Sequence, residues 1–405
     1  MKNKKQIFYW SLFDFANSTY AVIILAFVFA IYFTSTIAEG KPIGDFYWSL
    51  GINIAMIFSA VLNPVCGALA DYSNSKKKFL LFFTILAVVP TALMYFTGPG
   101  TIVFALILLI FSNIGFQTGL TFYDAFIKEI TEEKYYNKVS GIGYAVGYAG
   151  SLISVGLVFP LKDNPNLLFL LCAVMFFVFS LPLFLFLKEK RPAREEKEIN
   201  YFTYGFSKTK AALIEVGRFS NLKYFLISYF FYIDAVNTII FFSGIYAKKT
   251  LEFSITELAI FFLLVQITAL LGSLLFGFIG DKIGIKKSLV FTIIMWTLIT
   301  AAVFVTDDKN SFFIIGAFAG TFLGATQSLS RTMMAKLTPD NLKTTFFGLY
   351  ALLEKSSTLL GPLTFGLVSW LSGSQKMAVL SVGFFFVVGM LLIRKVKVEN
   401  KTITV

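Results

Sequence analysis

Gly67-Ala-Leu-Ala-Asp71-Tyr-Ser-Asn-Ser-Lys76-Lys77 returns 210 residues later as Gly277-Phe-Ile-Gly-Asp281-Lys-Ile-Gly-Ile-Lys286-Lys287. Each copy closes one long apolar run and opens the next. Two fainter echoes keep the same order. Asp14-Phe-Ala-Asn17-Ser18 is similar to Asp234-Ala-Val-Asn237-Thr238 at offset 220, and Gln117-Thr118 to Gln327-Ser328 at offset 210. Three ordered correspondences point to a parallel duplication. Repeats of this kind are common in secondary transporters, whose sites lie between the halves near mid-membrane.

Around these repeats the chain is built of membrane-crossing stretches, each needing about 20 apolar residues as a helix. Uncharged runs of that scale occupy 15–38, 46–70, 79–123, 139–161, 164–187, 258–280, 288–306, 310–330 and 377–393. The third is too long for one crossing, and Gly98-Pro99-Gly100 divides it by turn chemistry. Two further runs hold an internal charge: 224–247 around Asp234, and 344–371 around Glu354-Lys355. The expected fold is an all-α membrane protein of twelve transmembrane helices in two pseudo-symmetric six-helix bundles, 1–187 and 223–405, joined by a linker over 188–222. The linker start, 188–198, reads as solvated. Its end sets Phe202, Phe206, Leu213 and Val216 near helical spacing among Lys208, Lys210 and Arg218, which fits a helix lying in the inner interface or an ordinary cytosolic connector.

Composition agrees. The 405 residues are 57% apolar and 14% charged, against about 25% charge in a soluble domain. That excludes a soluble or a disordered protein. The net charge of +12 would suggest nucleic acid in a soluble chain. Here it sorts by side: with the N-terminus inside, 28 of the 35 Lys and Arg fall in inner segments and 6 in outer loops. The bias puts both termini in the cytoplasm, so the positive charge is topological and nucleic acid is no partner. The start Met1-Lys2-Asn3-Lys4-Lys5 mimics a signal peptide, but the run is too long and lacks a cleavage site, so a retained first helix is expected. There is no histidine, so any proton coupling runs through Asp or Glu, and neither a metal site nor a cofactor is expected. Gly141-Ile-Gly143-Tyr-Ala-Val-Gly147 is not a dinucleotide fingerprint, and no Walker-type phosphate loop appears. No span holds a paired catalytic motif, which argues against an enzyme. Cys66 and Cys172 read as small core residues.

The charges inside spans are the candidate substrate and proton pathway. Asp14 with Asn17, and Asp234 with Asn237, share helix faces at i and i+3. A carboxylate within a span costs about 2.5–3.5 kcal/mol on insertion scales, so each should face a partner or a wet cavity. Either they carry protons or they lock helices together. Asp14 should lie about 10 Å from the inner end at 1.5 Å per residue. Glu354 and Lys355 are adjacent, so they should point apart and find separate partners. Lys355 could bind an anionic group or exchange partners among the acids; a fixed salt bridge and snorkelling are the alternatives. Arg331, one turn after Gln327, could grip a carboxylate or phosphate, or anchor at the interface. Gln117, Tyr123 and Asp124 offer the matching face of span 4. Gly67, Asp71 and Lys76, with Gly277, Asp281 and Lys286, read either as gating loops or as topological turns. As gates, each Asp at a helix C-terminus needs a cation or a facing helix N-terminus. Glycines at every fourth place, as in Gly316-x-x-x-Gly320-x-x-x-Gly324, read as close helix packing.

Twelve spans with twin Gly-x-x-x-Asp loops resemble the major facilitator superfamily. The finer pattern resembles its vacuole-effluxer-like branch, which includes an autophagy-linked amino-acid effluxer and bacterial members. The carrying residues are Phe13-Asp14-Phe15-Ala16-Asn17-Ser18, Ser140-Gly-Ile-Gly143-Tyr-Ala-Val-Gly147-Tyr148-Ala-Gly150, Tyr232-Ile-Asp234-Ala-Val-Asn237-Thr238, Gln327-Ser-Leu-Ser330-Arg331, and Phe346-Phe-Gly348-Leu-Tyr350 through Lys355 to Gly361-Pro362. The chain departs from the branch at Glu354 (usually Gly), Asp124 (usually Asn), and Ile233 and Ala235 (usually Asn and Gly). The resemblance implies a carrier of the bacterial inner membrane, a monomer that alternates access and whose spans 1, 4, 7 and 10 line the path. It favours a small polar solute, an amino acid or related zwitterion, with efflux and proton coupling. A lipid or lysolipid transporter, or a non-transporting receptor or scaffold on the same fold, are the other readings.

Overall fold

In the computed structural model the two repeated loops turn alike. Asn74 and Gly284 hold equivalent places in the repeat, and both take a left-handed backbone, φ +48° and +92°. Asn tolerates that region and Gly enters it without strain, so each loop reverses direction there and starts a new helix. The structure describes residues 3–189 except 27, 42 and 162, and residues 201–397 except 358 and 359. The expected solvated start of the linker therefore falls largely outside the described residues.

The helices run in chain order as α1 (Lys4–Tyr20), α2 (Val28–Tyr32), α3 (Ile43–Ser73), α4 (Lys76–Leu93), α5 (Ile102–Ala125) and α6 (Ile127–Ile130). Next come α7 (Tyr136–Leu161), α8 (Pro165–Phe186), α9 (Tyr201–Val216), α10 (Ser220–Lys249) and α11 (Ile255–Ile283). The last are α12 (Ile285–Val305), α13 (Lys309–Leu337), α14 (Lys343–Ser357), α15 (Leu360–Ser372) and α16 (Gln375–Arg394). Among the described residues, 11 helical stretches are long and apolar enough to cross a membrane. Span 11, expected over 344–371, holds α14 and α15 on either side of residues 358 and 359, which lie outside the described residues. Span 1 also differs. It runs over Lys4–Ile37, with π-helical turns at Ala21–Ala26 and Phe33–Ile37. Asp14 is buried at 6% exposure, so the helix passes through it where a run defined by lack of charge stops.

Within each unit the ends of the spans differ in charge: a basic end, which carries most of its Lys and Arg, and its opposite. At the opposite end, helices are capped by their own local residues. Asn164, Ser254, Asp308 and Ser374 accept from backbone N–H groups of α8, α11, α13 and α16. Such caps satisfy donors that a helix start leaves orphaned. Asp308 lies outside the spans, and the Ser311 N–H holds its carboxyl below the usual range. At the basic end, Ser75 and Gly284 give α4 and α12 no side-chain cap.

Packing divides the chain into two compact units. One comprises Met1–Glu132, Val146–Ala211 and Pro339–Leu352; the other Glu133–Ala145, Ala212–Thr338 and Leu353–Val405. In the first, Tyr123 stacks on Trp10 and Phe13 at 4.6 and 4.9 Å. In the second, α11 and α13 meet along glycines: a Cβ on Gly320 would strike Val265 and Thr268, and one on Gly324 would strike the Ala269 carbonyl. This is the close packing the Gly-x-x-x-Gly spacing predicts. Many large apolar side chains stay exposed, among them Phe58, Phe82, Val103 and Leu363, as suits helices solvated by acyl chains.

Candidate functional site

In the first unit, Asp14 lies ten residues into α1, about 15 Å along its axis. Its face is narrow: a Cβ on Gly147 of α7 would come within 2.8 Å of Ser18 Oγ and 3.4 Å of the Asp14 carbonyl. Asn17 is 7% exposed. Gln117 is buried, and its Oε1 has no hydrogen-bond partner among the described residues. The Tyr123 carbonyl accepts from Trp10 Nε1 at 2.9 Å, and Asp124 beside it is half-buried.

Asp71, at the end of α3, faces the first turn of α14. Its oxygens accept from the Thr344 N–H (3.1 Å), the Thr345 N–H (2.7 Å) and Thr345 Oγ1 (2.9 Å). The facing helix N-terminus that this Asp requires is thus supplied from 273 residues away. Gly67, one turn earlier, lets the backbones touch, since a Cβ there would come within 2.6 Å of the Thr344 carbonyl. Lys76 is ion-paired with Glu129, and Lys343 reaches the same Glu129 at 2.7 Å. Glu129 and Lys76 side chains are 1% and 4% exposed. Sequence reasoning missed Glu129 and Lys343, because charges at span ends look the same whether buried or solvated.

In the second unit, Asp234 of α10 is fully buried, and its carboxylate meets the Gly361 backbone N–H but no side-chain donor among the described residues. It lies at the first turn of α15, where a Cβ on Gly361 would come within 2.9 Å of Oδ1. Thr238, one turn on, is equally buried, and its Oγ1 has no partner among the described residues. Beyond Thr238 lies an apolar cavity of about 50 Å³ lined by Phe242, Tyr246, Phe261, Phe312 and Val379. Asn237 is half-buried.

Arg331 of α13 is 1% exposed. Its Nε donates to Ser140 Oγ at 3.0 Å, its Nη2 donates to the Ser140 carbonyl at 2.9 Å, and its guanidinium lies 4.0 Å from the centre of the Tyr144 ring. Much of its fork is therefore committed to the first turns of α7. Gln327, one turn before, is half-buried. Asp281 accepts from Asn137 Nδ2 at 3.0 Å, so the second repeated loop also reaches the start of a helix, through a side chain rather than the backbone. Gly277 packs against the Asn137 carbonyl and the Gly141 Cα. Lys286 donates to the Arg394 carbonyl at 2.8 Å, at the end of α16, unlike its buried counterpart Lys76. One expectation is corrected here. Glu354 and Lys355 do pair, Nζ to Oε1 at 3.2 Å, because the four-carbon lysine stem spans the angle between neighbouring helical positions. Among the described residues, no three His, Cys, Asp or Glu side chains are placed to hold a metal.

A sequence profile of vacuole effluxer Atg22-like proteins matches residues 47–134 and 127–404. The chain belongs to that family. Among its relatives, the MFS-type transporter YxiO of Bacillus subtilis is 30% identical over 97% of this chain and 95% of that protein. Autophagy-related protein 22 of Kluyveromyces lactis is 25% identical over 65% of this chain and 58% of that protein. Two solved structures share the fold at low identity. The proton:xylose symporter XylE has a TM-score of 0.76 at 13% identity over 97% of this chain and 95% of that one. FucP has a TM-score of 0.74 at 14% identity over 98% and 99%. The Atg22-like chain is thus a twelve-helix, multi-pass membrane protein of the major facilitator superfamily. It is a secondary transporter and not an enzyme.

Proposed function

We propose that this Atg22-like transporter moves a small polar solute, an amino acid or a related zwitterion, across a bacterial inner membrane in exchange for or together with protons. The observation that carries the proposal is Asp234. A carboxylate fully buried in a span, facing one backbone N–H and no side-chain donor among the described residues, is costly when charged. Protonation relieves that cost, so the group is suited to load and release a proton as its surroundings change. Asp14 is the second carrier, at 6% exposure within span 1. Asn17, Gln117, Tyr123, Asp124, Asn237 and Gln327 supply the polar lining, while Arg331, on giving up its Ser140 bonds, and Glu354 and Lys355, on parting from each other, offer charges complementary to a zwitterion.

The six-helix bundles 1–187 and 223–405 are the moving bodies, in a monomer with both termini cytoplasmic, as the Lys and Arg bias indicates. The basic end is then the cytoplasmic end. The contacts of Asp71 with Thr344 and Thr345, and of Asp281 with Asn137, are its gates, made in one state and broken in the other. Polar contacts at a helix start suit this role, because water can replace each donor when they part.

The test is transport by purified protein in vesicles. Asp234→Asn should abolish uptake of a labelled amino-acid mixture driven by an imposed pH gradient, while the variant stays folded and monodisperse. Unchanged pH-driven uptake by Asp234→Asn would remove proton coupling from this residue.

A further inference from the structure

We infer that α9 is an anchor for anionic phospholipid, held at the basic end of the first unit. The helix packs on α3 near its foot. A Cβ on Gly205 would come within 2.8 Å of Val65 Cγ1, and the rings of Tyr204 and Tyr72 lie 4.5 Å apart. Val65 continues a stripe on α3 whose earlier members, Phe58 and Val61, are 56% and 47% exposed. In a transporter that stripe faces acyl chains. Val65 itself is 7% exposed. The helix α9 thus crosses α3 about 12 Å short of its end at Ser73, where the exposed stripe stops.

Its own surface carries two faces. Gly205 and Ala212 are buried, with Thr209 and Val216 half-buried between and beyond them. Phe206, Leu213 and Ile214 point elsewhere and are 42%, 54% and 65% exposed. At about 100° per residue these three fall within one sector roughly 100° wide, which also holds Lys210. Lys208 lies 5.6 Å over the Tyr204 ring, and Arg218 follows two residues after the helix ends. The stretch 188–223 holds nine Lys and Arg. Exposed apolar side chains interleaved with cations at the water boundary suit a bilayer surface with negative headgroups, such as phosphatidylglycerol. The lipid then pins the connection between the sixth and seventh spans to the membrane surface. This holds whichever solute is carried.

A nitroxide at Leu213→Cys, in full-length protein carrying Cys66→Ala and Cys172→Ala, tests the assignment. The protein is placed in vesicles of phosphatidylcholine, with and without phosphatidylglycerol. The label should collide with oxygen in preference to a water-soluble nickel chelate, and that preference should rise several-fold with phosphatidylglycerol. A label at Ala211→Cys, on the exposed polar side of α9, should remain open to the chelate. Lys208→Gln with Lys210→Gln should remove the phosphatidylglycerol effect. Equal chelate access at the two positions would overturn the anchor. So would protection at 213 that ignores both lipid charge and the lysine changes, because a protein surface would then be the cover.

Discussion

Glu129 takes two ammonium groups at once, Lys76 and Lys343. Lys76 can reach little water, since its side chain is 4% exposed, whereas Lys343 is 16% exposed. Glu129→Gln should therefore strand a buried charge and destabilise the protein by about 3–5 kcal/mol. Pairing Glu129→Leu with Lys76→Met should recover most of that loss. Thermal unfolding in detergent would measure both, and equal losses in the two variants would show that the pair holds no such debt. At this scale the sequence was partly legible. Asp14 and Asp234 stood out because a carboxylate in an apolar run is conspicuous whatever it touches. Ser140 and Asn137 did not, because a hydroxyl or amide acquires meaning only from the Arg331 or Asp281 brought against it.

Helices were legible where apolar length defines them and less so at their starts, since span 1 begins at Lys4 and passes through Asp14, where a run defined by lack of charge stops. Glycine spacing, by contrast, carried its meaning in one dimension, since residues four apart face one neighbour. Gly320→Ala should cost about 1–3 kcal/mol, because its methyl would meet the Val265 carbonyl and Thr268. Gly366→Ala, with nothing within 4 Å of its added methyl, should be neutral or slightly stabilising. Comparison of their unfolding temperatures checks the pair; equal effects would show that α11 and α13 do not rely on this approach.

For the whole molecule, substrate binding should appear as stabilisation. A ligand that binds only the folded state adds about 2.7 kcal/mol at one hundred times its Kd. Across amino acids, peptides, sugars, nucleosides and lysolipids, an amino acid or similar zwitterion should raise the unfolding temperature. Stabilisation by lysolipids alone would favour a lipid carrier instead. Packing at this scale cuts across chain order: Pro339–Leu352 groups with the N-terminal helices, and Glu133–Ala145 with the C-terminal ones. No composition or periodicity carries that exchange.

Twelve crossings, their duplication and the sidedness of charge were set by sequence alone, because hydrocarbon thickness and the exclusion of charge act on any segment regardless of its neighbours. Which donors Asp71 and Asp281 meet, whom Glu129 neutralises and what occupies the fork of Arg331 were decided only in three dimensions. Those contacts join residues 53 to 274 positions apart, and more than a hundred in most cases, and a hydrogen bond forms at about 3 Å whatever the distance along the chain.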